Sequence, residues 1–143
     1  MSSRLRARGR HIGVLLVAAE RAFNDELVGR LHQRGYRDIR PGHGAVFANL
    51  DAEGTRATVL ATRAGMTKQS IGELISDLEE KGYVERRPDP SDRRARIVVP
   101  TRRGIAVDRA ADEIIARIES NYERRLGSAS FRRLRSNLEQ MAE

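Results

Sequence analysis

Thr67, Lys68, Gln69, Ser70, Gly72 and Glu73 form a polar group at the start of a segment whose apolar residues, Ile71, Leu74, Ile75 and Leu78, recur at helical spacing. The chemistry in that group is hydrogen bonding to a polyanion. The Gln69 amide can pair bidentately with adenine, and the Lys68 ammonium can approach guanine or a phosphate. The Thr67 and Ser70 hydroxyls suit phosphate oxygens, helped by a helix N-terminus. Taken alone, any surface helix presents a polar face of this kind. A second group sits close by in sequence. Residues 86 to 103 hold Arg86, Arg87, Arg93, Arg94, Arg96, Arg102 and Arg103 against Asp89 and Asp92, which is +5 of the net charge of +7. A narrow minor groove attracts inserted arginine. Asp92 then reads as an orienting partner that holds Arg93 or Arg94 extended and lowers the entropy lost on binding. The plain alternative is a solvated turn with a local ion pair of little worth.

These side chains need a frame. Apolar residues from Leu5 to Leu31 recur at spacings of mostly three, four or seven, which predicts one long amphipathic helix over residues 5–34, stopped by Gly35. Its length predicts a second chain as the cover for its apolar stripe. A short helix is expected over Pro41–Leu50, with Pro41 in its first turn. A third helix is expected over 56–64 with Thr55 as N-cap, broken by Gly65. Thr67 then caps a fourth over Lys68–Lys81, ended by Gly82. Strands are expected at Tyr83–Arg87 and Arg94–Val99 around the turn residues of PDPSDR. A fifth helix over 102–126 and a last one holding Phe131, Leu134, Leu138 and Met141 complete the chain. Two short helices joined by a Gly-containing turn make a helix-turn-helix, and the basic hairpin after it makes a winged helix. The second helix of such a unit lies in the major groove.

Composition narrows the function further. The chain has 143 residues, 39% hydrophobic and 33% charged, which suits one helix-rich domain. No apolar run approaches the ~20 residues needed to span a bilayer. The basic start and the apolar run Ile12–Ala19 lead into Glu20 and Arg21 with helical period, so they read as mature helix, not as a secretion signal. The absence of cysteine excludes disulfides, thiol sensing and cysteine-ligated zinc. His11, His32 and His43 lack metal-site spacing. No nucleophile motif, P-loop or dinucleotide fingerprint is present, so no enzyme and no cofactor are expected. The pI near 10.8 suits a nucleic-acid partner.

Residues 41–104 resemble the MarR family of bacterial transcription regulators. The resemblance rests on Leu60-Ala61, Gly65-Met66-Thr67, the run Leu78-Glu79-Glu80-Lys81-Gly82-Tyr83-Val84-Glu85-Arg86, the wing Asp92-Arg93-Arg94-Ala95-Arg96, and Pro100-Thr101 followed by Arg102-Arg103-Gly104. It implies a mainly α fold with a small β-hairpin wing. Residues 37–101 would form the winged helix-turn-helix lobe, and 4–36 and 102–143 the dimerisation helices. It also implies a cytoplasmic bacterial homodimer on a pseudo-palindromic operator, acting as a repressor more than an activator. DNA contacts would come from Thr67, Lys68, Gln69, Ser70 and Gly72, with Arg94 in the minor groove beside Asp92 and Arg93. Arg86 and Arg96 would flank it on the wing. Gly72 and Glu73 depart from the family pattern. Glu73 would accept from cytosine N4, pair with Arg63 or Lys68, or sit clear of the DNA.

The resemblance further implies a small aromatic or phenolic anion as effector, in a cleft between the winged lobe and the dimer helices. Candidate contacts are Phe23, Leu27, Tyr36, Arg40, His43 and Phe47, with Arg40 for a carboxylate and His43 titrating near neutral pH. The simpler reading of the same residues is a packed helix seam. A different functional class also fits the basic wing, namely a winged-helix module contacting an acidic protein partner.

Overall fold

Helix α1, Ile12–Gln33, crosses the molecule with a single buried residue, Leu31, near its end. It belongs to a computed structural model that describes residues 11–143. The stretch 5–10 of the expected first helix lies outside those residues. The helix closes with the Tyr36 amide donating to the Leu31 carbonyl at 3.0 Å and the Gly35 amide to that of His32 at 3.0 Å. These bonds satisfy its last carbonyls.

The expected helix Pro41–Leu50 is shorter and divided. A 3₁₀ turn, Pro41–His43, leads into the single turn α2, Gly44–Phe47. Val46 is fully buried, while the Asn49 side chain donates to the Ala45 carbonyl at 2.8 Å and the chain turns away. Side-chain bonding to the local backbone competes with helix propagation at this position. Helix α3 follows as Ala57–Ala64. Thr55 is not its cap. Thr55 bridges the wing instead, exchanging two backbone bonds of 2.9 Å with Val98, and Arg56 holds the cap position.

Gly65 turns the chain out of α3 with φ +63° and ψ +32°, left-handed values that glycine adopts without a Cβ penalty. Two residues later Thr67 caps α4, Lys68–Glu80, its hydroxyl accepting from the Ser70 amide at 3.1 Å. Ile71, Ile75 and Leu78 form the buried stripe of α4. Strands β1, Val84–Asp89, and β2, Asp92–Pro100, pair antiparallel from Val84–Pro100 to Pro88–Arg96. Both run further toward the tip than the sequence suggests. The register then shifts so that Asp89 faces Asp92, leaving Arg93, Arg94 and Ala95 outside the regular pairing.

Helix α5, Arg102–Leu126, starts at Thr101, whose hydroxyl caps Gly104 at 3.2 Å and donates to the Gly82 carbonyl at 2.6 Å. Gly104 is required by space. A Cβ there would lie 2.1 Å from the Tyr83 carbonyl oxygen. Gly127 separates α5 from α6, Ser128–Met141.

One core joins these elements. It holds Val46, Leu60, Ile71, Ile75, Leu78, Tyr83, Val84, Val98, Val107, Ile114 and Ile118. Apolar side chains outside it gather at both ends of the chain. Ile12, Val14, Leu15, Leu16 and Val17 on α1, Leu126 on α5, and Leu134, Leu138 and Met141 on α6 are exposed. No helix among the described residues is long and apolar enough to cross a membrane.

Candidate nucleic-acid interface and the cavity behind it

The polar group at the start of α4 is presented outward. Thr67, Lys68, Gln69, Ser70 and Glu73 are exposed, and Gly72 is half-buried with open space where a Cβ would stand. The Thr67 hydroxyl also donates to Ser70 Oγ at 2.8 Å, which holds the tip in one arrangement. Glu73 pairs with neither suggested partner among the described residues. Arg63 is used elsewhere, on the Asn49 carbonyl at 2.8 Å and on Asp51 at 3.0 Å.

The wing's arginines divide into braced and free. Arg86 is braced: its amide and guanidinium donate to Glu79 at 2.9 and 2.8 Å, and the guanidinium also reaches Ser76 at 3.1 Å. The backbone bond from Arg86 to Glu79 and the guanidinium charge hold that carboxyl below its ordinary range, against some desolvation. Arg86 therefore ties the wing to α4. Arg87 pairs with Glu85, and Arg103 reaches Asp38 at 3.2 Å with its guanidinium 4.2 Å above the Tyr83 ring. Among the described residues Arg93, Arg94 and Arg96 enter no ion pair and are exposed.

Asp92 orients the tip through the backbone and not through a guanidinium. Its Oδ1 accepts from the Arg94 amide at 3.0 Å, an Asx-type turn that fixes the chain from which Arg93 and Arg94 project. The loop end of β1 is held by Asp89, which the sequence reading counted only as charge. Asp89 accepts from the Ser91 amide at 2.9 Å, the Ser91 hydroxyl at 2.7 Å and Arg56 Nε at 2.7 Å. Those donors, the Ser91 amide first, lower its pKa from 3.8 to about 2.

Behind α4 lies a cavity of about 600 Å³ between α1, the Ile39–Ala48 segment and α5. Phe23, Leu27, Arg40, His43 and Phe47 all line it, as the sequence suggests. Tyr36 is not among its lining residues; its ring packs on Tyr83 with centroids 6.5 Å apart. The expected titration of His43 near neutral pH is a second correction. The ring is fully buried, Nδ1 accepts from the Arg40 amide at 3.0 Å, and Nε2 bonds Asp77 at 2.6 Å. An amide donor on Nδ1 leaves the proton on Nε2, so the neutral ring fits and the imidazolium does not. Burial pushes its pKa below 6.5, more than Asp77 restores.

Asp77, on α4, is the residue the sequence reading missed. It accepts from Lys81 at 2.8 Å, His43 at 2.6 Å and Arg40 at 2.8 Å. The three donors, Lys81 first, hold its carboxyl far below the usual range. Two of them line the cavity, so Asp77 connects the cavity wall to the helix that carries Thr67–Glu73. Only the Lys81 contact, four residues along one helix, was visible in the spacing. Arg40 and His43 lie 37 and 34 residues away.

The comparisons agree with this geometry. A model of the MarR family matches residues 38–95, which hold the helix-turn-helix and the first part of the wing. The transcriptional regulator HosA of Escherichia coli O111:H- is 30% identical over 87 residues, 61% of this chain and 64% of that protein's length. Among solved structures, the transcriptional repressor CouR bound to a 23-mer DNA duplex superposes with a TM-score of 0.76 at 28% identity, covering 93% of each chain. CouR from Rhodococcus jostii RHA1 bound to p-coumaroyl-CoA matches with a TM-score of 0.73 at 26% identity, over 92% of this chain and 91% of that one. By its winged helix-turn-helix and by these likenesses, the chain is similar to transcription regulators of the MarR family, over residues 38–95 by the family model and over most of its length by the solved structures.

Proposed function

We propose that this protein is a homodimeric repressor that binds a pseudo-palindromic operator and is released from it by a small molecule. One observation carries the DNA reading. A capped, outward-facing polar tip, Thr67–Glu73, stands beside a wing whose Arg93, Arg94 and Arg96 have no carboxylate partner among the described residues. Unpaired guanidinium groups bring their full charge to a phosphate backbone, whereas paired ones must first give up a partner. The solved structure of a related repressor on DNA supports the same reading.

Dimerisation rests on the apolar residues left exposed on α1 and α6, from Ile12 to Val17 and from Leu134 to Met141. Two-fold symmetry would place two copies of α4 in major grooves about one helical turn apart, roughly 34–36 Å. The effector reading rests on the cavity and on the ligand-bound state of a related structure.

Titration against operator DNA at several salt concentrations tests the proposal. Log K should fall linearly with log salt, with a slope of about −0.9 for each phosphate neutralised. A flat dependence would overturn the DNA reading. A folded monomer in light scattering at micromolar concentration would overturn the dimer.

A further inference from the structure

The cavity behind α4 has a charge that does not suit an aromatic anion. Three carboxylates line it: Glu20 on α1, and Asp108 and Asp112 on α5. Asp108 and Asp112 are four residues apart, so they share one helix face. All three are exposed, which places them at the mouth, while Phe23, Leu27, Phe47, Leu74 and Ile115 supply an apolar interior. Among the described residues none of the three carboxylates has an ion-pair partner.

The opposing charge in the cavity is small. Arg40 is the cationic side chain of the lining, and its guanidinium already serves Asp77 at 2.8 Å. His43 also lines the cavity but is held neutral by the amide on its Nδ1. An anionic guest would therefore meet three unpaired carboxylates, and its remaining counter-charge would have to be drawn away from α4. The Asp108 carboxyl is itself raised, by desolvation first and by the neighbouring Asp112 charge second.

We infer that the cavity takes a lipophilic organic cation, its apolar body against Phe23 and Phe47 and its charge facing Asp108, Asp112 and Glu20. The volume of about 600 Å³ falls in the range of small-molecule sites, roughly 300–1,000 Å³. Phenyl faces add attraction for a cation, and Met66 in the wall is a flexible residue that adapts to the guest. This inference rests on the effector reading above and assigns its chemical class.

The test uses two ions of one shape and opposite charge, tetraphenylphosphonium and tetraphenylborate. Each is titrated into the full-length protein, read by calorimetry and by release of labelled operator DNA. The phosphonium ion should bind about tenfold or more tightly than in the variant Asp108→Asn/Asp112→Asn, consistent with two close charges in a partly wet site. The variant should shift the ratio of the two affinities toward the borate. An unchanged ratio, or a wild-type protein that binds the borate and ignores the phosphonium, would overturn the assignment. DNA release by the borate alone would overturn it while leaving the effector reading in place. Failure of both ions to bind would overturn the cation site itself, and operator binding in the same assay would show whether the DNA reading survives.

Discussion

Helix α4 and the wing lie side by side, but they are held in opposite ways. Ile71, Ile75 and Leu78 seat α4 in the core, and Asp77 fixes its far face through three donors. The wing is tied at three points: Arg86 braces it to Glu79, the Thr55–Val98 bridge holds β2, and Arg56 holds Asp89 at the loop end of β1. Beyond Asp89 the loop that carries Arg93 and Arg94 lies outside the regular pairing and is shaped by the Asp92 turn. A rigid seat suits base reading, where hydrogen bonds need fixed geometry. A lightly held cationic tip suits a groove whose shape and potential it must follow. On the proposed function, the difference also assigns control to the α4 side. A guest in the cavity touches Arg40 and His43, which hold Asp77 on α4, and no cavity-lining residue belongs to the wing.

The largest effect should come from removing the seat. Ile75 is fully buried, so Ile75→Ala should cost about 2–5 kcal/mol by transfer and cavity terms. Thermal unfolding measures this, and operator binding should fall at temperatures where the fold remains intact. A loss below about 1 kcal/mol would mean that α4 is not seated as described.

Next comes the wing tip. Arg94→Ala should weaken operator binding roughly tenfold to a hundredfold and leave stability and dimerisation unchanged. The slope of log K against log salt should become shallower by about 1 if Arg94 meets a phosphate. Unchanged DNA binding would favour a winged module that contacts an acidic protein.

The brace between the two regions should matter less. Arg86 and Glu79 are both partly exposed, so solvent screens the pair, and its coupling in a double-mutant cycle of Arg86→Gln and Glu79→Gln should be about 0.5–1 kcal/mol. Acid should loosen the two regions at different pH. His43, with a lowered pKa, contributes stability that is complete above its ordinary 6.5 and is lost as pH falls through its folded value. Asp89 contributes stability that is complete above its ordinary 3.8 and is lost as pH falls toward about 2. Hydrogen exchange against pH should therefore show the α2–α4 junction weakening before the loop end of the wing.

The smallest effect should come from Asp92→Asn. Its Oδ1 accepts a backbone amide, and an asparagine carbonyl oxygen can do the same. DNA affinity should change by less than about threefold, whereas Asp92→Ala should lose more. A large loss in the asparagine variant would show that the charge itself orients Arg93 or Arg94.

Much of the winged lobe was legible because its signals are local. The period of Ile71, Ile75 and Leu78, the cap at Thr67 and the glycine at 65 each act within one turn of helix. The short segment at 41–50 misled because its periodicity reads as one helix, while the Asn49 side chain and the 3₁₀ turn divide it. Thr55 misled for a related reason: its type suits a cap, yet a strand 43 residues further on claims its backbone. In the cavity, the phenylalanines were legible as apolar helix positions. The acids at its mouth were not, because nothing local sets Asp108 and Asp112 apart from other helix-surface charges until α1 and α5 come together.

The sequence by itself determined the order of elements, the resemblance to MarR-family regulators, the polar tip of α4 and the concentration of arginine in the wing. Those properties follow from residue type and from spacings of a few residues. Tertiary structure decided that Arg103 is tied to Asp38, that His43 is neutral, and that Asp77 joins the cavity to α4. Each of these depends on which donor meets which acceptor across more than 30 residues of chain, or on how little water reaches the group, and neither is set by local sequence.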